Sequence, residues 1–114
     1  MRLRADIFVA AYLRRCAANH VPAVLRRRGS EEAGAIYVSV DRPDGTAALF
    51  APAADAASKD PAVERVWRRA HREEWIPSGR LSERMSREIA IDPDLWWVEV
   101  EDSAAGHGLD LADE

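Results

Sequence analysis

The sequence predicts an α+β domain in which two helices pack on a small antiparallel sheet of about four to five strands. Residues 35–41 alternate apolar and polar residues and are followed by a turn signal and a second apolar stretch over 46–51, which is typical of a β-hairpin. Residues 6–19 and 81–89 space their apolar residues three or four apart, which is typical of helices that bury one face. The length of 114 residues fits a single domain, residues 1–114.

The hairpin has the clearest pattern in the chain. Over residues 35–41, one face of the predicted strand is apolar and consists of Ile36, Val38 and Val40. The sequence Arg42-Pro43-Asp44-Gly45 then supplies the proline and the Asp-Gly pair that tight turns favour. Residues 46–51 are therefore predicted to return as the antiparallel partner.

The first helix is predicted over residues 6–19, with Asp6 as its N-cap. Asn19-His20 marks its end, and Pro22 prevents simple continuation. Alternating apolar residues over 7–13 leave open a short strand that runs into the helix.

The second helix is predicted after Pro77-Ser78-Gly79. Its apolar residues recur every four positions and form one narrow stripe, Leu81, Met85 and Ile89. Glu83 and Arg87 have the spacing of an i,i+4 ion pair. Asp92-Pro93 ends the helix.

The remaining segments are assigned to strands and loops. A short strand covers residues 23–28, and a last strand over residues 95–102 alternates as expected for a sheet with one packed face. Residues 62–72 fit a strand or a helix, and the strand is favoured. Residues 52–61 are predicted to form a surface loop, and residues 103–114 a loop-like tail that is mobile or pairs as a short edge strand.

Composition places the chain among folded proteins, with 47% hydrophobic and 32% charged residues. Cys16 is the single cysteine, which excludes an intramolecular disulfide and fits a small buried side chain in a reducing compartment. No apolar run approaches the ~18 residues of a membrane span. A cytoplasmic protein without a membrane partner is therefore expected.

Charge is distributed unevenly. Residues 1–30 hold seven arginines and one acid, for a charge of +6, whereas residues 92–114 hold eight acids and no lysine or arginine, for −8. In a small domain, such ends more often pair with each other or stay solvated than form two binding faces.

Three stretches span most of the chain and carry a resemblance to a known family: residues 8–15, 34–50 and 92–102. They resemble an uncharacterised family of short alphaproteobacterial proteins, the domain of unknown function 1491. The resemblance implies a compact cytoplasmic bacterial domain and brings no assigned activity. The family pattern often ends in a basic, aromatic-containing segment, where this chain has residues 103–108 with the sequence SAAGHG, and this difference weakens any role for the C-terminus.

The candidate catalytic residues are acidic and lie near the last strand: Asp92, Asp94, Glu99 and Glu101. Carboxylates at alternate strand positions project to one side, so Glu99 and Glu101 could ligate a hard cation such as magnesium or act as an acid–base pair. A helix stop and two solvated strand residues are the favoured interpretation. The histidines and Cys16 show no zinc-ligand spacing, so no metal site and no cofactor is predicted.

The candidate binding residues are arginines and tryptophans: Arg27, Arg28, Arg69, Trp75 and Trp97. An exposed tryptophan beside charged residues is a common interface anchor, although core packing is slightly favoured for each tryptophan taken singly. An arginine-rich face with interleaved tryptophans could also bind single-stranded nucleic acid. The pI near 5.4 and the lack of a recognised nucleic-acid motif argue against that.

These observations favour a non-enzymatic binding or accessory module that acts through a protein–protein interface, with another protein or a second copy as partner. A small metal-assisted hydrolase or transferase that uses the carboxylates is one alternative, and a nucleic-acid binder is the other. The sequence shows no phosphate loop, nucleophile elbow or Ser-His-Asp arrangement, which lowers the expectation of an enzyme.

Overall fold

The computed structural model describes residues 3–53 and 65–112. These residues form two helices, α1 (Ala5–Ala18) and α2 (Ser78–Ile91). They also form six strands: β1 (Ala23–Arg27), β2 (Ile36–Asp41), β3 (Thr46–Pro52), β4 (Trp67–Arg69), β5 (Ile76–Pro77) and β6 (Trp96–Glu101). The predicted α+β class is confirmed, with slightly more strands than expected. Neither helix is long and apolar enough to cross a membrane, a finding that applies to the described residues.

The strands form one sheet in the order β1-β6-β2-β3-β4, and β5 pairs with the first residues of β3. The last strand therefore lies between the first two. β2 and β6 are parallel and in register from Ile36 and Trp96 to Asp41 and Glu101. The other strand pairs are antiparallel, so the sheet is mostly antiparallel and owes its one parallel pair to a long crossover that includes α2.

Both faces of the sheet are packed, so the expectation of one packed face is wrong. On one face, α1 buries Val9, Tyr12 and Cys16 against alternate residues of the central strands. On the other face, α2 buries Leu81 and Met85 in a second cluster. The alternating pattern of β2 and β6 suggested that one face of the sheet is exposed to solvent. That face is packed instead, and it uses residues such as Tyr37, Ser39 and Trp97. The local sequence cannot distinguish these residues from surface residues.

The start of α1 differs from the prediction. Asp6 lies inside the first turn rather than at the N-cap, which is Arg4 and makes no side-chain cap. The Ala5 and Asp6 N–H groups donate instead to the carbonyls of Glu32 (3.2 Å) and Glu31 (3.0 Å). Because a neighbouring loop satisfies these donors, the helix needs no capping side chain. The predicted short strand at this position does not form.

α2 carries the predicted apolar stripe, with Leu81 and Met85 buried. Glu83 and Arg87, both among the described residues, do not form the predicted ion pair. The i,i+4 pair that forms joins Arg84 to Glu88, with a distance of 2.8 Å. Arg84 lies closer to the sheet and also donates to the Ala70 carbonyl (3.3 Å), which favours this pair over the exposed one.

The remaining local predictions are largely confirmed. Gly45 has a φ of 85°, and Asp44 accepts a hydrogen bond from the Thr46 N–H (3.0 Å), so the hairpin turn uses the residues that predicted it. β4 confirms the strand within residues 62–72. The predicted surface loop lies mostly outside the described residues, since 54–64 are not among them.

Two glycines allow the loop between β1 and β2 to fold over Trp96. The Trp96 indole N–H donates to the Ser30 carbonyl (2.8 Å). A Cβ atom on Gly29 would lie 2.3 Å from the Asp94 carbonyl oxygen, and one on Gly34 would lie 2.5 Å from the same atom. Both approaches are to backbone, so the loop has no room for a side chain at either position.

We expect Gly34→Ala to lower the free energy of unfolding by about 1–3 kcal/mol, because the added methyl group must displace backbone in a packed region. Urea unfolding measures this. Gly79→Ala is the matched control: its Cβ would meet nothing within 4 Å, near the start of α2, and helix propensity should leave the protein unchanged or slightly more stable. Equal effects of the two substitutions would contradict the close packing of the loop.

Candidate functional site

The two ends of the sheet differ in how they are covered. At the β4 end, the Trp67 N–H donates to the Asp110 carbonyl (2.9 Å), and the Ala112 N–H donates to the Trp67 carbonyl (2.8 Å). Trp67 also forms a parallel bridge with Leu111. Residues 110–112 therefore pair with the outer side of β4 at its first residue.

The segment that leads to this cover is held by α1. The Tyr12 hydroxyl donates to the His107 carbonyl (2.7 Å), and the Arg15 guanidinium donates to the Gly108 carbonyl (2.7 Å). Leu109 is buried in the core on the α1 face. Burial raises the pKa of Tyr12 well above its ordinary value, so its hydroxyl remains a donor across the physiological range. The chain thus closes this sheet edge with its own C-terminal segment.

At the other end, β1 pairs with β6 on one side, and no described segment pairs with its outer side. The Glu101 N–H donates to the Pro22 carbonyl (3.0 Å), which sets the hydrogen-bonding alternation along β1. In an antiparallel ladder, alternate residues hydrogen-bond to the partner strand. The N–H and C=O groups of Ala23 and Leu25 therefore point away from β6.

The side chains along this outer side are apolar at one end and basic at the other. Val24 is 55% exposed and Leu25 is 36% exposed. Val24 lies opposite Glu99, on the α2 face, and Leu25 lies opposite Val98, on the α1 face. Arginines follow at positions 26–28. We refer to residues 23–28 as the β1 edge.

Arg26 and Arg27 lie at the basic end of the β1 edge, where a β-bulge shifts the register. The Arg26 guanidinium pairs with Glu99 (2.9 Å) and lies 4.7 Å from the centre of the Trp97 ring. Arg27 donates to the Pro93 carbonyl (2.8 Å). These contacts fix the direction of both side chains beside the strand.

Arg28 completes the basic end on the α1 face. Its guanidinium lies 5.1 Å from the centre of the Trp96 ring, and its nearest carboxylate, Glu31, is 3.7 Å away. The side chain is 61% exposed. Two predicted binding residues, Arg27 and Arg28, are thus brought to the open edge of the sheet.

The two predicted binding tryptophans are covered by other side chains. Trp97 is 8% exposed and donates its indole N–H to the buried Ser39 hydroxyl (2.8 Å). Trp75 is half-buried against the core on the α1 face, with the Arg42 guanidinium 4.5 Å from its ring centre. Their charged sequence neighbours suggested exposure, but distant strands and arginine side chains cover them.

Arg69 lies at the opposite end of the sheet. Its guanidinium carbon is 5.1 Å from the centre of the Phe50 ring, against which His107 also packs. A groove of about 370 Å³ beside it is lined by Arg69, Ala70, His71 and Arg72. Because β1 and β4 are the two ends of the sheet, Arg69 does not join Arg27 and Arg28 in one basic face.

The predicted carboxylates take local structural roles. Asp92 accepts a hydrogen bond from the Asp94 N–H (3.1 Å) at the end of α2. Glu99 pairs with Arg26, and Glu101 is exposed at the end of β6. Within residues 3–53 and 65–112, no group of three or more histidine, cysteine, aspartate or glutamate side chains is placed to hold a metal ion.

Comparison with known proteins identifies the family. A family model described as "Protein of unknown function (DUF1491)" matches residues 3–110. The chain belongs to the DUF1491 family. The resemblance of its three sequence stretches to this family is thereby confirmed. A comparison with curated proteins found no match to the chain.

Solved structures of this family share the fold. A DUF1491 family protein from Caulobacter crescentus CB15, solved by crystallography, is 34% identical, has a TM-score of 0.77, and the match covers 99% of this chain and 100% of that one. Protein Atu0922 from A. tumefaciens, solved in solution, is 32% identical with a TM-score of 0.78, and the match covers 100% and 98% of the two chains. This chain therefore shares its architecture with both proteins over almost their full length.

Sequence reasoning missed the apolar half of the β1 edge. Ala23, Val24 and Leu25 do not alternate with polar residues, and a strand with adjacent exposed apolar residues is one available signal. That signal indicates an open sheet edge only once β1 is known to be an end strand. The position of β1 in the sheet depends on pairing between segments that are distant in sequence.

A histidine that no motif singled out completes the sheet of this DUF1491 protein between β4 and β5. The Leu49 N–H donates to His71 Nε2 (2.9 Å), as it would to a strand carbonyl. The His71 Nδ1–H donates a hydrogen bond to the Glu73 carbonyl oxygen, at a distance of 2.8 Å. This arrangement requires a neutral ring with its proton on Nδ1.

Both His71 and His107 resist protonation in the folded protein. Burial lowers the pKa of His71, and the Arg69 guanidinium lowers it further. Burial also lowers the pKa of His107, again with Arg69 contributing. The unfolded chain binds protons at an ordinary histidine pKa of ~6.5, so it takes up more protons than the folded protein just below that pH.

We therefore expect the free energy of unfolding to be retained above about pH 6.5 and to fall as the pH drops below it. His71→Gln keeps an acceptor for the Leu49 N–H and removes one titrating group, so it should flatten the decline. The double variant His71→Gln/His107→Gln should flatten it further. Urea unfolding across this pH range measures the slope, and an unchanged slope in the double variant would contradict this role for the two histidines.

Proposed function

We propose that this DUF1491 protein is a non-enzymatic protein-binding module that receives an extended segment of another protein along the β1 edge. The observation that carries the proposal is the outward direction of the Ala23 and Leu25 backbone groups, at a sheet end that no described segment covers. An open strand edge is a template for an added strand. At the opposite sheet edge, the first residue of β4 already pairs with the chain's own residues 110–112.

The energetics favour a modest, reversible interaction. An added strand would pair the N–H and C=O groups of Ala23 and Leu25, and each such hydrogen bond contributes a net ~0.5–1.5 kcal/mol. Burial of the exposed apolar side chains of Val24 and Leu25 adds to this. Ordering the bound segment offsets part of the gain. An accessory module that engages its partner transiently fits this balance.

The placement of the acidic residues supports binding over metal-assisted catalysis. Glu99 is held by Arg26, and Asp92 orders the turn that ends α2 through the Asp94 N–H. These carboxylates are used to stabilise the fold and to orient an arginine at the β1 edge.

The placement of the arginines supports a protein partner over nucleic acid. Their guanidinium groups cover aromatic rings in six pairs: Arg15 with Tyr12, Arg26 with Trp97, Arg28 with Trp96, Arg42 with Trp75, Arg65 with Phe8, and Arg69 with Phe50. The covered rings cannot stack on bases.

The single cysteine, Cys16, is buried and free, and we propose the cytoplasm as the compartment because a reducing environment suits it.

We expect Leu25→Pro to abolish partner binding and to leave the fold intact. Proline removes the N–H of Leu25, which points away from β6, and proline is tolerated at such positions on edge strands. Capture of a partner from lysate of the source organism, compared between wild type and variant, measures the effect. Leu25→Thr, which keeps the N–H and suits a strand, should still capture the partner.

Val24→Pro is the matched structural control. The Val24 N–H points toward β6, opposite Glu99, so its loss removes a ladder hydrogen bond and should cost about 1–3 kcal/mol of stability, whereas Leu25→Pro should cost far less. The melting temperatures of the two variants measure this difference. Equal destabilisation, or a partner captured undiminished by Leu25→Pro, would contradict strand addition at the β1 edge.

A further inference from the structure

The side of β1 that faces β6 shows which side chains this strand pairs with inside the fold. β6 places Val98 and Val100 opposite β1 on the α1 face and Glu99 on the α2 face. The Glu99 carboxylate lies 2.9 Å from the Arg26 guanidinium. The complement of β1 within the fold is therefore a strand that combines apolar residues with a carboxylate beside the arginines.

The arginine side chains of the β1 edge lie toward β6, where Arg26 and Arg28 remain exposed and only partly neutralised. Residues 21–30 contain three arginines and no acid. Arg26 is 44% exposed despite its pair with Glu99. Arg28 is 61% exposed, and Glu31, its nearest carboxylate, is 62% exposed and 3.7 Å away. A carboxylate on an added strand can therefore approach these arginines without displacing a buried ion pair.

A second copy of the same strand fits this side poorly. A two-fold axis would pair two β1 strands antiparallel, so the Arg26–Arg28 end of each would lie beside the Ala23–Leu25 end of the other. Such a pair would supply no carboxylate to either set of arginines. Charge complementarity instead favours an acidic segment of a different protein.

We propose that the segment bound at the β1 edge places carboxylates beside Arg26–Arg28 and apolar side chains beside Ala23–Leu25. This proposal rests on strand addition at the β1 edge and specifies the chemistry of the partner. The apolar half of the segment covers Val24 and Leu25, and its acidic half sets the register along the strand.

Titration of isotope-labelled protein with short strand peptides tests the proposal. The acidic probe is a hexapeptide of two glutamates joined to alternating threonine and valine, made in both chain orders to allow either strand direction. Matched probes carry glutamine or lysine in place of glutamate. Chemical-shift changes at the Ala23 and Leu25 amides report the site, and their concentration dependence gives the affinity.

The acidic probe should bind about fivefold more tightly than the glutamine probe, and the lysine probe should bind least, as expected for two exposed ion pairs. High salt should shrink this preference. Arg28→Gln should lower the preference to about twofold. Arg72→Gln, which changes an exposed arginine at the far end of the protein, should leave it unchanged.

Three outcomes would overturn the proposal, and they are distinguishable. Equal affinity for acidic and glutamine probes, with shifts at Ala23 and Leu25, would refute the acidic partner and leave strand addition intact. Absence of shifts at both amides for every probe would refute strand addition as well. A doubled molecular mass in sedimentation that Leu25→Pro returns to monomer would show that a second copy occupies the β1 edge.

Discussion

The position of the last strand between the first two is the constraint on which the rest of the structure depends. β6 lies parallel to β2 and antiparallel to β1, and Val38 and Val98, both fully buried, face each other at the centre. A sheet with a buried central strand requires cover on both faces. α1 and α2 supply that cover from opposite sides, and the sheet is left with β1 and β4 as its two ends.

The two ends explain how the charged residues are used. The acidic C-terminal third contributes β6, which pairs with β1 from the basic N-terminal third, so the charge asymmetry is partly resolved inside the fold through contacts such as Arg26 with Glu99. Other arginines lie over aromatic rings at the margins of the core, where a guanidinium covers apolar surface and keeps contact with water. Among the described residues, no segment pairs with the outer side of β1, where exposed arginines and exposed apolar residues lie together.

Sequence patterns predicted the elements that local chemistry determines. The Asp44-Gly45 turn and the apolar stripe of α2 depend on neighbours within a few residues, and both are present. The second packed face was missed because Trp97 is buried by Ser39 and α2, both far away in sequence. His71 was missed for the same reason, since its role as a strand acceptor depends on Leu49. The open edge follows from strand order, which periodicity does not contain.

Amide hydrogen exchange along β1 tests most directly whether this strand is the open end of the sheet. An open β1 edge predicts an alternation: the Val24 and Arg27 amides, which point toward β6, are protected, and the Ala23 and Leu25 amides exchange quickly. The Trp67 and Ala112 amides at the covered end should also be protected. Protection of Ala23 and Leu25 equal to that of Val24 in the isolated protein would show that the edge is already occupied, and would contradict the account.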